Sequence, residues 1–298
     1  MAYFLQQIAN AVPVAALYAA LAFGYALAFA VTRRADLTYG ALFAFAGQTF
    51  VLFADVGWNR LWLVLPAALG LGAAAALTFG LGAGLVAGRY VMRPLAFSSA
   101  NAVVVASLGT LLVLMETARL ASDTRSLWMP PFLNSVIVFW PDPQFPVTLT
   151  TIQLLNTALM AALVAGGHLL LTHSFIGRYW RAVSEDREAA ALCGVDPATV
   201  YIVAYGTASL IAAFCGILAA SYYGNMDFGT GLTFGVKVLF IAAIGGQTAP
   251  LLAALGAAGV GLLETLWSAY GPILWRDFAI FGFLVIVLVV TRREKVIP

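Results

Sequence analysis

Residues 8–31 read IANAVPVAALYAALAFGYALAFAV, an uninterrupted run without a charged side chain. A helix needs about 20 predominantly apolar residues to cross the hydrocarbon core of a bilayer, and this run is long enough. The residues before it lack the positive charges that begin a secretory signal peptide, so we interpret the run as a retained first transmembrane helix. This stretch therefore predicts an integral membrane protein.

The rest of the chain repeats this pattern. Of its 298 residues, 62% are hydrophobic and 9% are charged, which is far more apolar than a soluble domain. Further apolar segments lie near residues 37–54, 61–88, 99–120, 150–173, 198–221, 232–246, 250–268 and 273–291. We expect an all-α polytopic membrane protein, with a single transmembrane domain over residues 1–298. Segments 37–54 and 232–246 are short and could be half-helices, so the prediction is eight or nine crossings.

The basic residues predict the orientation, because short loops rich in Lys and Arg stay in the cytoplasm. An N-terminus outside and a C-terminus in the cytoplasm places these residues inside: Arg33, Arg34, Arg89, Arg93, Arg178, Arg181, Arg187, Arg292, Arg293 and Lys295. The long connection 121–149 then lies outside. Its prolines exclude a continuous helix and favour an ordered cap of turns and extended pieces. This cap either meets a partner or is a plain tether.

Two short motifs resemble each other. Leu37-Thr38-Tyr39-Gly40 opens the second segment, and Leu232-Thr233-Phe234-Gly235 opens the seventh, which runs in the opposite direction. Inverted repeats with short, glycine-interrupted helices are typical of transporters whose solute site lies near the bilayer midplane. The motif suggests such a repeat, although four matching residues can also arise by chance.

The most polar cytoplasmic segment is the loop 174–197. Ser184 can cap a short helix at its N-terminus, and Gly194 can end it in the left-handed conformation. Asp196 and Pro197 are typical of the start of the next helix. The sequence thus predicts an isolated helix of about nine residues between two spans.

A helix this short needs another surface to pack against. We interpret it as a coupling helix that docks on a cytosolic motor, with small alanines allowing close approach and charged residues giving direction. The residues proposed for this contact are Ser184, Glu185, Asp186, Arg187, Glu188, Ala189, Ala190, Ala191 and Gly194. The alternative is a solvated turn between spans.

Several polar residues lie within or beside apolar segments, where charge is unfavourable and usually faces a cavity or a partner. Glu116, Lys237 and Glu264 either line a solute pathway or pair across the interface between two such subunits. The alternative is a static paired group, or for Lys237 a side chain that reaches the nearby outer surface. Thr38, Tyr39 and Gln48 are further candidates for the pathway, and uncharged polar groups of this kind equally often join helices.

These features together resemble the permease family of branched-chain amino-acid ABC importers, of the LivH type. The resemblance covers almost the whole chain and includes the loop 181–194, Leu37 to Ala41, Arg93-Pro94-Leu95, Ser107-Leu108-Gly109, Gly235-Val236-Lys237, Ala242 to Gly246, and Gly259 to Glu264. The chain departs from the family's usual residues at 36–40, where the family commonly has Asn-Phe-Ala-His-Gly, and at 247–251.

The resemblance implies a type II-like importer architecture in the bacterial inner membrane. It also implies two ATP-binding cassette subunits that bind the ATP, a second permease that is a longer relative, and an extracytoplasmic solute-binding protein. This chain would then hold no cofactor of its own. Its cargo would be a branched-chain amino acid or a related amide, urea or organic acid.

Other classes find little support in the sequence. The chain contains no Gly-rich loop ending in Gly-Lys-Ser/Thr, so we do not expect it to bind ATP as a P-loop enzyme. His168 and His173 have no carboxylate or cysteine at metal-ligand spacing, and we expect no metal site. A net charge of +2 without a basic block argues against nucleic acid. The remaining rival is a stand-alone secondary transporter or solute channel.

Overall fold

The computed structural model describes residues 2–95, 100–141, 146–246 and 248–291. The basic residues predicted at the cytoplasmic C-terminus, Arg292, Arg293 and Lys295, lie outside these ranges. In chain order the elements are α1 (Ala2–Thr32), α2 (Thr38–Asp55), α3 (Leu65–Val86), α4 (Arg93–Leu95), α5 (Ala100–Ala121), β1 (Val136–Trp140), β2 (Val147–Thr150), α6 (Thr151–His173), α7 (Phe175–Glu185), α8 (Arg187–Leu192), α9 (Pro197–Tyr223), α10 (Thr230–Gly245), α11 (Pro250–Tyr270) and α12 (Arg276–Thr291).

Eight helices in the described ranges are long and apolar enough to cross a membrane, which confirms an all-α polytopic protein. The second segment is not a half-helix: a π-helical turn, Val56–Arg60, extends α2 into an apolar span of 23 residues. The seventh segment forms α10, whose 16 residues rise about 24 Å, less than the hydrocarbon thickness of about 30 Å. Whether the chain crosses the membrane eight or nine times therefore depends on α10 alone.

The centre of the bundle consists of α1, α2 and α9, whose apolar windows are mostly buried. Small residues allow these helices to approach closely, as expected where no hydrophobic effect drives helices together inside lipid. A Cβ added to Gly216 of α9 would lie 2.3 Å from the carbonyl oxygen of Phe43 in α2. By contrast, α6 and α12 lie at the periphery, and only 11% of each apolar window is buried.

The two ends of the bundle differ in what covers them. On one end, here called the hairpin side, β1 and β2 form an antiparallel pair in which Val136 lies opposite Thr150. The side-chain amide of Gln6 in α1 holds this hairpin: its nitrogen donates to the carbonyl of Thr148, and its oxygen accepts from the Thr148 amide. The connection 121–149 thus contains extended strands, as predicted; residues 142–145 lie outside the described ranges. The opposite end, here called the α8 side, carries α7 and α8.

The two similar motifs meet inside the bundle. The Cβ position of Gly40 in α2 is 2.2 Å from the Cα of Gly235 in α10, and one turn further on Ala44 faces Gly231. The two helices therefore cross in an antiparallel manner, with the equivalent glycines of the two motifs in direct contact. This is the arrangement expected of two inverted repeats related by an axis through the contact.

Candidate functional site

The polar loop on the α8 side contains two helices separated by a single residue. Asp186 lies between α7 and α8, and its carboxylate accepts hydrogen bonds from the backbone amides of Glu188 (2.9 Å) and Ala189 (3.0 Å). The helix α8 has six residues and ends before Gly194, which has φ of +86°. Asp196 then caps α9 through the amides of Ala198 and Thr199. The predicted stop at Gly194 and restart at Asp196 are confirmed.

The predicted start of the short helix is wrong. Ser184 belongs to the last turn of α7, where its hydroxyl donates to the carbonyl of Arg181 (2.9 Å). Its own carbonyl accepts a hydrogen bond from Arg33, which follows α1. Residues 175–185 are helical because one apolar face, including Trp180 and Val183, is buried on the bundle. The capping carboxylate therefore lies two residues later, and α8 is shorter than predicted.

The alanines of α8 do not form one docking face. Ala190 is 5% exposed and packs against the helix bundle, whereas Ala189 and Ala191 are exposed. The most exposed apolar side chain of the helix is Leu192, at 90%. Glu185 and Glu188 are also exposed. The surface that α8 offers to another protein is thus an apolar tip bordered by acids rather than a smooth alanine face.

Replacing Asp186 by Ala should unfold α8 locally, because an N-cap carboxylate contributes about 1 kcal/mol and a helix of this length has little stability of its own. We expect faster backbone hydrogen exchange at residues 187–192, with the spans unchanged. Ser184→Ala serves as the matched control and should leave exchange in α8 unaltered. Equal effects of the two changes would contradict the assignment of Asp186 as the cap.

Two of the charged residues singled out in the sequence form a buried ion pair. The ammonium of Lys237 in α10 lies 2.9 Å and 3.0 Å from the two carboxylate oxygens of Glu264 in α11. The hydroxyl of Tyr18 in α1 donates to Glu264 (2.7 Å) and accepts from Lys237 (3.1 Å). Lys237 does not reach the surface and is 4% exposed. The cluster joins three helices and satisfies both charges within one chain.

Glu116 lies elsewhere. It belongs to α5, forms an ion pair with Arg119 one turn later, and both side chains are close to half exposed. It has no contact with Lys237 or Glu264 among its described ion pairs. The structure therefore separates this residue from the buried cluster.

Gln48 borders a cleft that opens toward the hairpin side. The cleft has a volume of about 300 Å³ and lies between α2, α5 and the segment after α9. Its lining is mostly aromatic and aliphatic, with polar side chains that include Thr49, Arg125, Asn225 and Asp227. The amide nitrogen of Gln48 is buried and has no hydrogen-bond partner in the described residues. An apolar cleft with a few converging polar groups is the usual form of a small-molecule site.

Thr38 and Tyr39 lie at the other end of α2, beside a group of residues that sequence reasoning missed. Asp36 accepts hydrogen bonds from the Thr38 amide (2.8 Å) and from the hydroxyl of Tyr205 in α9 (2.9 Å). The hydroxyls of Tyr25, Thr38 and Tyr39 are buried without a partner in the described part of the chain. Tyr25 and Tyr39 line a cavity of about 20 Å³ together with Asp36 and Tyr205, enough for roughly one water-sized group. Asp36 and Tyr205 are 169 residues apart, so only the fold brings them together.

Burial raises the pKa of Asp36 above its ordinary value, and the hydrogen bonds from Thr38 and Tyr205 only partly oppose this. A carboxyl whose pKa is higher in the folded state loses stabilisation as the pH rises from about 4, the unfolded pKa, through the folded one. Asp36→Asn should therefore be more stable than the parent at pH 7, with the difference vanishing below about pH 4. Thermal unfolding in detergent across this pH range measures it, and a parent protein that is more stable at pH 7 would contradict the argument.

Comparisons with known proteins agree with this architecture. The family model described as "Branched-chain amino acid transport system / permease component" matches residues 7–289. The high-affinity branched-chain amino acid transport system permease protein LivH of Escherichia coli K12 is 25% identical over 97% of this chain and 94% of its own length. BraD of Pseudomonas aeruginosa, with the same description, is 24% identical over 96% of this chain and 93% of its own length.

A more partial match is the autoinducer 2 import system permease protein LsrC of Klebsiella pneumoniae, 31% identical over 47% of this chain and 43% of its own. No solved structure matches the chain. The family match spans the described helices α1 to α11 and most of α12. It disfavours a stand-alone transporter or channel. The chain belongs to the family of branched-chain amino acid transport system permease components, and it is a multi-pass permease subunit of an ABC importer.

Proposed function

We propose that this permease conducts a small polar solute that an extracytoplasmic binding protein delivers. Branched-chain amino acids are the first candidates, because LivH and BraD are named for them and align with this chain over nearly its full length. A related amide, urea or a small organic acid is the second group, because residues 36–40 and 247–251 depart from the family's usual sequence. The proposed complex has two ATP-binding cassette subunits, which bind the ATP, and a second permease. This chain then requires no cofactor.

In the proposed orientation the hairpin side is extracytoplasmic and the α8 side faces the cytoplasm of a bacterium, with the protein in the inner membrane. The arginines support this arrangement, since Arg33, Arg89 and Arg178 all lie near helix ends on the α8 side. Short cytoplasmic loops carry such an excess of positive charge. The N-terminus then lies outside and the C-terminus inside.

The observation that carries the proposal is the geometry of α8. It is capped at Asp186, stopped at Gly194, and held to the bundle through Ala190, so it stands as a separate short helix with Leu192 exposed. A helix of this kind transmits motion as a rigid unit when a partner grips its exposed tip. We assign the coupling contact with the ATPase to this helix and to the acids that border it, Glu185 and Glu188.

The cleft beside Gln48 is the proposed point of solute entry. It opens on the side where a binding protein would release its cargo, and its volume of about 300 Å³ accommodates a solute of amino-acid size. Thr38 and Tyr39 lie at the opposite end of the same helix, beside the Asp36 cavity. The helix α2 thus connects the proposed entry with the α8 side.

Purification in mild detergent from the native membrane, followed by mass spectrometry of the bound proteins, tests the proposed assembly. We expect two ATPase subunits and a second permease. A homo-oligomer without ATPase, whose solute flux does not respond to ATP, would reject it.

Leu192→Glu should abolish most ATP-driven uptake while the ATPase subunits still hydrolyse ATP. Burial of an exposed leucine at an interface contributes about 2 kcal/mol, which the variant loses. The neighbouring acids also repel the new carboxylate. Glu188→Lys should likewise lower ATP-driven uptake. Leu61→Glu is the matched control, since Leu61 is also exposed (57%) but lies on the hairpin side. Uptake in reconstituted vesicles is the measurement, and normal uptake by Leu192→Glu would remove α8 from the coupling path.

A further inference from the structure

The helix α7 has an apolar face that is only partly buried. One part of its apolar face is buried on the bundle through Gly177, Trp180 and Val183. The other part is exposed: Phe175 (59%), Ile176 (51%) and Tyr179 (51%). These exposed side chains are adjacent on the helix surface, and the rings of Phe175 and Tyr179 contact each other edge to face. The helix therefore presents an apolar strip that the described part of the chain does not cover.

The depth of α7 is fixed by its contact with α1. The indole nitrogen of Trp180 donates to the carbonyl of Leu27 at 3.0 Å. Leu27 lies five residues before the end of α1 at Thr32, which corresponds to about 7.5 Å along the helix axis. The axis of α7 thus lies alongside the last turns of a transmembrane helix instead of projecting beyond them.

The connection to α6 leaves no freedom to move away. Only Ser174 separates the end of α6 from the start of α7, and its hydroxyl accepts the amide of Gly177 at 3.1 Å. A Cβ at Gly177 would lie 2.0 Å from the carbonyl oxygen of Leu171, so the corner is closed tightly. The exposed apolar strip consequently begins where a membrane-spanning helix leaves the hydrocarbon.

The charges beside the strip are positive. Arg178 and Arg181 lie on the neighbouring face of α7 and both side chains are exposed. Arg181 reaches back to the carbonyl of Thr172 at the end of α6 (3.4 Å), which places its guanidinium at the level where α6 ends. Basic residues next to an apolar strip are characteristic of helices that lie in the plane of a membrane surface.

We propose that α7 is an interfacial helix that binds anionic phospholipid headgroups. Phe175, Ile176 and Tyr179 insert at the boundary between headgroups and acyl chains. Arg178 and Arg181 contact the lipid phosphates, for which planar guanidinium groups provide paired donors. Lipid, and not the ATPase, is the favoured occupant of the strip because the strip lies level with α1 and directly beside the end of α6.

Depth-dependent fluorescence quenching tests this binding in the assembled transporter. A label at Ile176→Cys, in a C193S/C215A background, is compared with a label at Glu188→Cys on α8. In vesicles of phosphatidylcholine with phosphatidylglycerol, nitroxide lipids should quench the label at 176 several-fold more than the label at 188, and aqueous iodide should show the reverse. Nitroxide phosphatidylglycerol should quench position 176 more than nitroxide phosphatidylcholine does.

The double variant Arg178→Gln/Arg181→Gln tests the contribution of the two positive charges to lipid binding. A juxtamembrane arginine changes the affinity for anionic lipid by about fivefold, so the double variant should lose the preference for phosphatidylglycerol while the label at 176 stays shielded from iodide. Arg60→Gln/Arg125→Gln, on the hairpin side, is the matched control and should retain the preference. Equal quenching by both lipids in the parent would overturn the proposal. Shielding of position 176 only while the ATPase subunits are bound would assign the strip to those subunits instead.

Discussion

Lys237→Met is expected to lower the free energy of unfolding by about 3–5 kcal/mol, because it leaves a buried carboxylate without its cation. Glu264 is 8% exposed, and among the described residues the hydroxyl of Tyr18 is its remaining hydrogen-bond donor once the ammonium is gone. The guanidinium of Arg276 lies at 3.9 Å from the same carboxylate, too far for a hydrogen bond. It compensates for part of the charge and not for the lost donors.

The effect should be reversed largely by a second substitution. In Lys237→Met/Glu264→Gln the buried charge is removed, and the glutamine oxygen still accepts the hydroxyl of Tyr18. Removing both members of a buried pair is often close to neutral, whereas removing one is not. The double variant should therefore be clearly more stable than the single Lys237→Met variant.

Thermal unfolding of the purified chain in one detergent, followed by size-exclusion chromatography, compares the variants. Glu116→Gln is the control for loss of an acid, since its pair with Arg119 is half exposed and should matter little. If Lys237→Met unfolds no earlier than the double variant, the pair does not hold α10 to α11. The same result would favour a role for Lys237 in contact with solute rather than in stability.

The large features of the fold could be predicted from hydropathy, because each span is long, uncharged and separated from the next by polar residues. The same method left the second segment open between a half-helix and a full crossing, because the chain continues beyond it as a π-helical turn through residues that include Asn59 and Arg60. Charged and polar residues at a helix end lower the hydropathy without ending the helix. A prediction based on apolar length alone therefore stops too early.

The positions where helices begin and end in the cytoplasmic loop were partly predictable. Gly194 and the pair Asp196-Pro197 act through their own backbone preferences, so their roles follow from sequence. The role of Ser184 does not, because residues 175–185 are held in a helix by burial of Trp180 against α1. Which of two candidate capping residues, Ser184 or Asp186, begins the short helix depends on whether the residues before it pack on the bundle. That packing is a property of the tertiary structure.

The polar clusters show the same limit. Lys237 and Glu264 were singled out because charge is rare in a span, but the sequence did not indicate that they pair with each other and with Tyr18. Thr38 and Tyr39 were likewise singled out, but the sequence did not indicate that Asp36 accepts the hydroxyl of Tyr205 beside them, because these groups converge only after α1, α2 and α9 have packed. Residue type predicts that a polar group needs a partner, and the fold determines which one.

Gly40→Ala is expected to destabilise the protein by about 1–3 kcal/mol or more, the usual range for overpacking a closed contact. The added methyl group would lie 2.2 Å from the Cα of Gly235, 2.3 Å from its nitrogen and 2.8 Å from the carbonyl oxygen of Gly231. All three are backbone atoms, so no side chain can rotate away. The helices α2 and α10 must separate to admit it.

The opposite substitution across the same contact should be far milder. A Cβ at Gly235 meets its nearest atom, the carbonyl oxygen of Leu37, at 3.2 Å and then only ordinary contacts. Gly82→Ala in α3 is the matched control, because nothing lies within 4 Å of its Cβ position and alanine favours the helix by about 1 kcal/mol. We expect the order of thermal stability Gly82→Ala, then Gly235→Ala, then Gly40→Ala. Gly40 and Gly235 occupy the same position in the two motifs. Equal losses of stability from the two substitutions would therefore show a contact that is symmetric about the repeat axis. The expected inequality would show that α10 packs more closely against α2 at Gly40 than a symmetric repeat requires.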